Sequence, residues 1–299
     1  MSVFNRLLVT TLPLVPKPVV RRVASRYVAG ETLEDAVRII RGLNQEGAMA
    51  TVDVLGEEVS EREKALAATE ENLRAFAAIE REKLNANVSI KPTLLGLKID
   101  EGFCRDNIGR IAETAKAQGN SVRIDMEDQS TTDATLRIYR DLQARHGNVG
   151  CVLQAYMRRT LKDIDDLPAE GASVRLCKGI YIESRKVAWK GYETVRANYV
   201  SALEKLILRG VYVGIATHDE YLACEATALL DKHSVPRDRY EFQMLLGVDD
   251  ELRRILLAAG HRLRVYVPYG RDWYPYSMRR LRENPEVARH VLKAFLAGK

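Results

Sequence analysis

The sequence predicts an α/β fold, a (β/α)8 TIM-type barrel with an N-terminal helical extension. Eight short runs rich in β-branched residues alternate with stretches that carry apolar residues at helical spacing. The runs cover residues 48–55, 87–91, 121–126, 149–156, 173–178, 211–217, 240–245 and 262–267. Such alternation implies right-handed crossovers and a parallel sheet, and eight units favour a closed barrel. An open, doubly wound sheet is the alternative, but no Gly-x-Gly-x-x-Gly motif follows any of the runs.

The stretches between the runs have the composition and the ends of helices. Residues 60–84 and 192–208 are rich in Ala, Leu, Glu, Lys and Arg, which favour helix. Gly119, Gly147 and Gly210 each stand shortly before a strand, where a helix commonly ends in a left-handed residue. Each strand is therefore expected to be separated from the next by a helix.

The chain is expected to divide into a helical extension, residues 1–46, and a catalytic barrel domain, residues 47–299. A helix is predicted to begin near Thr32. The first 30 residues carry several apolar groups, with basic residues at 17, 21 and 22. Such a segment suits an arm that touches a membrane surface, but packing on its own domain or on a second copy explains it as well.

Composition excludes several classes of protein. The 299 residues are 46% hydrophobic and 29% charged, as is ordinary for a soluble globular protein. The net charge of +5 is spread along the chain, which argues against nucleic-acid binding. No apolar run approaches the roughly 20 residues that span a bilayer. The four cysteines show no Cys-x-x-Cys spacing, so we expect a reducing, cytoplasmic location, with peripheral contact at the inner face of the cell membrane left open.

Polar or aromatic side chains stand at the ends of all eight predicted strands. They are Asp53 and Glu57, Lys91, Asp125 and Glu127, Gln154 and Tyr156, Arg175 and Lys178, Thr217 and His218, Gln243, and Tyr266 with Tyr269. Because the carboxyl ends of barrel strands face the active site, these side chains are expected to form one cluster. The set has no Ser-His-Asp order and too few ligands for a metal, so no metal site is predicted. Its cations and hydrogen-bonding groups suit a redox cofactor that carries phosphates.

A pair of arginines follows the last strand. The β-rich run stops at Pro268 and Gly270, three aromatic residues follow, and Arg279 and Arg280 then open a helical segment. Two guanidinium groups at such a junction can clamp a carboxylate or a phosphate. A solvated, basic helix start is the alternative.

Seven short motifs, one for almost every strand, resemble successive motifs of the proline dehydrogenase family. They are Ser89-Ile90-Lys91, Ile124-Asp125-Met126-Glu127, Leu153-Gln154-Ala155-Tyr156, Arg175-Leu176-Cys177-Lys178-Gly179-Ile180-Tyr181, Ala216-Thr217-His218, Glu241-Phe242-Gln243-Met244-Leu245 and the closing Tyr276-Ser277-Met278-Arg279-Arg280. They occur in the family's order and cover about residues 30–295. The resemblance is to the monofunctional bacterial type. Ile180 departs from the more usual Ala, which should affect packing near the cofactor and not the chemistry.

The resemblance implies that FAD oxidises L-proline to Δ1-pyrroline-5-carboxylate by hydride transfer, and that the electrons pass to a membrane quinone. It places Lys91, Arg279 and Arg280 on the substrate carboxylate, in agreement with the arginine clamp above. It places Tyr266 and Leu245 against the proline ring. A homo-oligomer is a further expectation.

The remaining site residues are also assigned by the resemblance. Asp125 would pair with Lys91, and Arg175 would lie near the reactive nitrogen of the flavin. Glu57 would pair with one of the two arginines and gate the site. The residues expected to contact FAD are Met126, Gln154, Lys178, Gly179, Ile180, Thr217 and His218. From the sequence alone, Lys91 could be structural, Asp125 could cap a loop and Arg175 could belong to a buried ion pair.

Two other functions stay open at this point. The chain could be another flavin-dependent barrel oxidoreductase, of the methylenetetrahydrofolate reductase type, which would be reduced by NADH and not by proline. It could also be a non-catalytic barrel scaffold, which would bind no flavin. The polar strand ends argue against a scaffold, since a scaffold does not need them.

Overall fold

Eight parallel strands close into a barrel in sequence order in the computed structural model, which describes residues 21, 25–56, 58–168, 170–274 and 276–278. The barrel is closed where β1 pairs in parallel with β8. The strands are β1 Met49–Val54, β2 Ala86–Ile90, β3 Val122–Ile124, β4 Val149–Gln154, β5 Ser173–Cys177, β6 Tyr212–Ala216, β7 Tyr240–Leu245 and β8 Leu263–Tyr269. The predicted fold class is confirmed, and the ends of the predicted runs lie within two residues of the strand ends.

Helices alternate with the strands as predicted. They are α1 Leu33–Gln45, α2 Arg62–Arg81, α3 Glu101–Ala117, α4 Gln129–His146, α5 Thr160–Asp165, α6 Tyr192–Leu208, α7 Glu220–Lys232 and α8 Asp250–Ala258. The ends follow local chemistry. At the start of α1, Thr32 and Asp35 form a capping box, in which each side chain accepts a hydrogen bond from the other residue's backbone N–H. α4 ends at Gly147, whose φ of +75° suits a residue without a Cβ atom.

The N-terminal part of the described chain packs on the barrel. α1 lies against β1 and β8, and its Ala36, Ile40 and Leu43 are buried in the main hydrophobic core. Just before it, the N–H of Ala29 donates to the carbonyl of Pro268 at the end of β8. The division of the chain at residue 46 stays a prediction, and most of residues 1–24 lie outside the described part.

The hydrophobic core lies between the sheet and the surrounding helices, where Phe76, Ile108, Tyr139 and Leu203 are fully buried. The interior of the barrel is instead polar, although bulky branched residues usually fill it. Its charged side chains pair with one another across the strands, as Arg264 does with Glu241 at 2.7 Å. Such pairing offsets part of the cost of burying charge.

No helix in the described part of the chain is both long enough and apolar enough to cross a bilayer.

Candidate active site

A cavity of about 980 Å3 opens at the carboxyl ends of the strands. All of the predicted site residues that the structure describes line it. They are Lys91, Asp125, Met126, Gln154, Arg175, Lys178, Gly179, Ile180, Thr217, His218, Leu245 and Tyr266. The other three, Glu57, Arg279 and Arg280, lie outside the described residues. The prediction that residues from seven strands meet in one cavity is therefore confirmed. The individual roles of these residues stay predictions.

Asp125, directly after β3, is the centre of a hydrogen-bond network. Its Oδ1 accepts from Nη1 of Arg175 at 2.8 Å and from Oγ of Ser89 at 2.7 Å. Its Oδ2 accepts from the hydroxyl of Tyr266 at 2.7 Å. Burial alone would raise the pKa of Asp125, but the Arg175 and Lys91 cations hold it below its ordinary value. The carboxylate is therefore ionised at neutral pH, and its hydrogen bonds come from side chains of β2, β5 and β8.

Lys91, directly after β2, is buried between two carboxylates. Its Nζ bonds to Oδ1 of Asp53 on β1. The same Nζ lies 3.9 Å from Oδ2 of Asp125 and 3.4 Å from the hydroxyl of Tyr266. The expected pair of Lys91 with Asp125 is therefore present, but Asp53 is the closer partner. Sequence reasoning noted Asp53 as a polar strand end and gave it no role.

Arg175, in the middle of β5, is held on two sides. Its Nε donates to Oε1 of Gln243 at 2.5 Å, and its Nη1 donates to Asp125. Its guanidinium carbon lies 5.0 Å from the centre of the Tyr266 ring. Arg175 thus belongs to a buried ion pair and also lines the cavity, while its position near the reactive nitrogen of the flavin stays a prediction.

The outer end of the cavity carries a second charge cluster that sequence reasoning missed. Asp219 accepts hydrogen bonds from Lys178 at 3.0 Å, from Arg196 at 2.9 and 2.7 Å, and from the hydroxyl of Tyr192 at 2.9 Å. The Arg196 guanidinium lies over the rings of Tyr192 and Tyr221, 4.3 and 4.7 Å from their centres. Burial would raise the pKa of Asp219, but the bonds from Arg196 and Lys178 hold it well below its ordinary value.

Asp219 directly follows Thr217 and His218, so its place after β6 was a usable signal. Arg196 lies on the second turn of α6, far from any strand end, and carried no such signal.

Two further residues shape the rim of the cavity. Gly179 has a φ of +104°, and a Cβ atom there would lie 2.1 Å from Cδ1 of Tyr156. Only glycine lets the backbone pass so close to that ring. His218 accepts a hydrogen bond at Nε2 from the backbone N–H of Leu245 at 2.8 Å, which ties the loop after β6 to the end of β7.

The described residues before α1 and after β8 roof the cavity. Val28, Leu55 and Tyr276 form a small buried hydrophobic cluster, against which Trp273 packs. Tyr276 also lines the cavity. The helical residues 273–274 and 276–278 therefore lie over the mouth of the barrel, immediately before the two predicted arginines.

Fold and site together define a barrel enzyme whose cavity carries cations at two places. Lys91 and Arg175 lie at its buried floor, and Lys178 and Arg196 lie at its outer end. A cavity of about 980 Å3 has room for more than a small metabolite. Among the described residues, no group of three or more His, Cys, Asp or Glu side chains is placed to hold a metal ion.

Comparison with known proteins identifies the family. Residues 36–293 match the model of the family described as Proline dehydrogenase. The chain is 42% identical over 275 residues to Proline dehydrogenase 2 of Bacillus subtilis (strain 168), covering 92% of this chain and 91% of that protein. It is 35% identical over 280 residues to Proline dehydrogenase of Deinococcus radiodurans, covering 92% and 90%. The chain belongs to the proline dehydrogenase family and is an enzyme, which excludes a non-catalytic scaffold.

A solved structure shows the same fold. The chain superposes with a TM-score of 0.82 on proline utilization A (PutA) from Bdellovibrio bacteriovorus inactivated by N-propargylglycine. The match covers 88% of this chain but 33% of that longer one, at 23% identity. At this identity the likeness shows the fold alone, and it confirms the barrel.

Proposed function

We propose that this proline dehydrogenase oxidises L-proline to Δ1-pyrroline-5-carboxylate with FAD as the hydride acceptor, and that a membrane quinone receives the electrons. The observation that carries the proposal is the single cavity lined by every predicted substrate and cofactor residue that the structure describes. Membership in the proline dehydrogenase family supports the reaction.

The residues at the outer end of the cavity suit FAD. Lys178 and Arg196 bring two cations to this end, where both pair with Asp219 and Arg196 also lies 3.4 Å from Glu193. Their N–H groups can donate charge-assisted hydrogen bonds to a pyrophosphate. The close approach of the backbone at Gly179 suits contact with a flat ring system. We infer that Met126, Gln154, Ile180, Thr217 and His218 complete the set of cofactor contacts.

The residues at the floor suit a small amino acid. Lys91 lines the cavity, and its ammonium group can donate a charge-assisted hydrogen bond to a carboxylate. We infer that Arg279 and Arg280 join it, with Glu57 as their partner in gating the site. Tyr266 and Leu245 offer apolar surface to the ring. Anchoring the carboxylate at one end fixes which carbon of the substrate faces the cofactor.

Proton transfer in the site is constrained by charge. The substrate amine must be neutral before the carbon beside it can be oxidised, because the nitrogen lone pair assists the loss of hydride. Asp125 lines the cavity, but its lowered pKa makes it a weak base. We infer that Asp125 orients Arg175 and Tyr266, and that the cations of the clamp lower the pKa of the bound ammonium. Arg175 then supplies a buried cation where negative charge develops.

The visible spectrum of the purified protein, before and after L-proline is added without oxygen, tests the proposed function. We expect a flavin spectrum that proline bleaches and NADH does not. A colourless protein that reduces no dye with proline would refute the proposal. A yellow protein bleached by NADH alone would support the methylenetetrahydrofolate reductase type instead.

Substitution of either arginine by methionine tests the carboxylate clamp. Arg279→Met and Arg280→Met should each raise KM for proline by about 30-fold, since losing such a contact removes on the order of 2 kcal/mol of binding. The flavin spectrum should not change. Arg271→Met, at an exposed position before the same segment, is the matched control. Wild-type KM values in both arginine variants would exclude the clamp.

A further inference from the structure

The carboxylate of Asp53 lies beneath Lys91 and has no part in the proposed reaction. Asp53 is fully buried on β1 and lies outside the residues that line the cavity. Its Oδ1 accepts a hydrogen bond from Nζ of Lys91. Its Oδ2 is buried and has no hydrogen-bond partner among the described residues. A substrate in the cavity therefore reaches Lys91 but not Asp53.

A buried carboxylate oxygen without a partner is costly to keep. Burial accordingly raises the pKa of Asp53, and the Lys91 cation opposes that rise. The hydroxyl of Tyr266 also opposes the rise, but less than Lys91 does, and its single proton is donated to Asp125 at 2.7 Å. The contact with Lys91 is thus the largest of the interactions that favour the ionised form of this carboxylate.

Sheet register explains why the two groups meet. Asp53 of β1 stands opposite Ser89 of β2. Because side chains alternate between the two faces of a strand, Lys91 occupies the next inward position after Ser89. The pair is therefore set by the register of two adjacent, hydrogen-bonded strands.

A second carboxylate competes for the same ammonium group. Oδ2 of Asp125 lies 3.9 Å from Nζ of Lys91 and accepts one hydrogen bond, from Tyr266. Oδ1 of Asp125 accepts hydrogen bonds from Arg175 and Ser89. Without the charge of Asp53, Asp125 would still lie within salt-bridge distance of Lys91. The ammonium group would then be drawn toward Asp125.

We propose that Asp53 is a positioning residue that aims Lys91 at the substrate carboxylate and keeps the ammonium group away from Asp125. The inference deepens the proposed function, since it rests on Lys91 binding the carboxylate. Asp53 acts through Lys91 alone, so its effect on binding should vanish when Lys91 is removed.

A double-mutant cycle on the holoenzyme tests this dependence. Asp53→Ala and Asp53→Asn are made in the wild type and in Lys91→Met, and the flavin spectrum of each is recorded. The readouts are KM and kcat for L-proline and the Kd of cyclopentanecarboxylate, a five-membered-ring carboxylate without the amine. Asp53→Ala should raise KM and Kd by about tenfold with a smaller change in kcat. Asp53→Asn should have a smaller effect, because its amide oxygen can still accept from Nζ. Neither Asp53 substitution should raise KM or Kd further when it is combined with Lys91→Met.

Thr51→Val is the matched control, because Thr51 is equally buried one inward position deeper on β1 and bonds to Asn87. It should leave KM and Kd unchanged. Wild-type KM in Lys91→Met would overturn the proposed role of Lys91 itself. Two other results would overturn only the inference about Asp53. In the first, Lys91→Met weakens binding but the Asp53 substitutions do not. In the second, the Asp53 substitutions weaken binding as much in the Lys91→Met protein as in the wild type. Should Asp53→Ala fail to fold, Asp53→Asn carries the same comparison.

Discussion

Replacing Glu241 with glutamine is expected to remove about 3 kcal/mol of folding stability at neutral pH and less in acid. Glu241 is buried inside the barrel on β7. Its carboxylate accepts hydrogen bonds from Arg264 at 2.7 and 3.1 Å, from Tyr212 at 2.7 Å and from Gln243 at 2.6 Å. Burial would raise the pKa of Glu241, but the attraction of Arg264 prevails and lowers it to about 2.

The magnitude follows from this lowered pKa. A glutamate in the unfolded chain titrates near 4.3, so folding lowers its pKa by roughly two units, each worth about 1.4 kcal/mol. Because the folded-state pKa is the lower one, the stabilisation is complete above about pH 4.5 and is lost as the pH falls toward 2. Glutamine resembles the protonated acid in volume and charge, so the variant should lack this dependence.

Urea unfolding from pH 7.5 to pH 3.5, with the same concentration of FAD throughout, measures the effect. The difference in free energy of unfolding between wild type and Glu241→Gln should narrow from about 3 to about 2 kcal/mol at pH 3.5. Glu251→Gln, at an exposed position on α8, is the control and should change stability by less than about 0.5 kcal/mol. A difference that is the same at every pH would refute the assignment of an ionised Glu241 paired with Arg264.

Three further predictions concern the site and its roof. Arg175→Ala should lower the reduction potential of the bound flavin and slow its reduction by proline; an unchanged potential and rate in potentiometric and stopped-flow measurements would remove Arg175 from the mechanism. Gly179→Ala should weaken FAD binding and lower the melting temperature, because its φ of +104° and the Tyr156 ring leave no room for a Cβ atom; a wild-type flavin affinity would contradict this. Deletion of residues 1–20 should spare proline-dependent dye reduction, since Val28 still packs with Leu55 and Tyr276. A change in quinone activity in lipid vesicles would indicate a membrane role for these residues, and a change in oligomeric state by light scattering would indicate self-association. Loss of flavin from the truncated protein would refute the idea that the segment is an arm outside the core.

The barrel and the composition of its cavity could be predicted because both depend on local patterns. Strands and helices differ in hydrophobic period, and a polar residue that ends an apolar run is visible in the sequence. Parallel strands in a barrel present all such ends at one mouth. Lys91, Arg175 and His218 were therefore predicted as neighbours although long stretches of chain separate them, and the structure brings them to one cavity.

The pairing of charges within the cavity could not be predicted from these patterns. Lys91 was expected to pair with Asp125 alone, but Asp53 is its closer carboxylate, and that contact depends on the register of β1 against β2. Arg196 reaches Asp219 from the side of α6, which no strand-end pattern indicates. Partners of this kind are set by the three-dimensional placement of adjacent elements, which a single sequence leaves open.

The polar side chains inside the barrel connect the amino-terminal ends of the strands to the active site. Gln243 accepts a hydrogen bond from Arg175 through Oε1 and donates one to Glu241 through Nε2. The ionised carboxylate of Glu241 can only accept, so it fixes the orientation of the Gln243 amide and turns the amide oxygen toward Arg175. Glu241 is in turn held by Arg264. The cation that we assign to the cofactor is thus oriented by an ion pair near the amino-terminal ends of the strands. Protonated Glu241 could donate a hydrogen bond to Gln243 and so reverse the orientation of its amide. The ion pair of Glu241 with Arg264 therefore stabilises the geometry of the site as well as the fold.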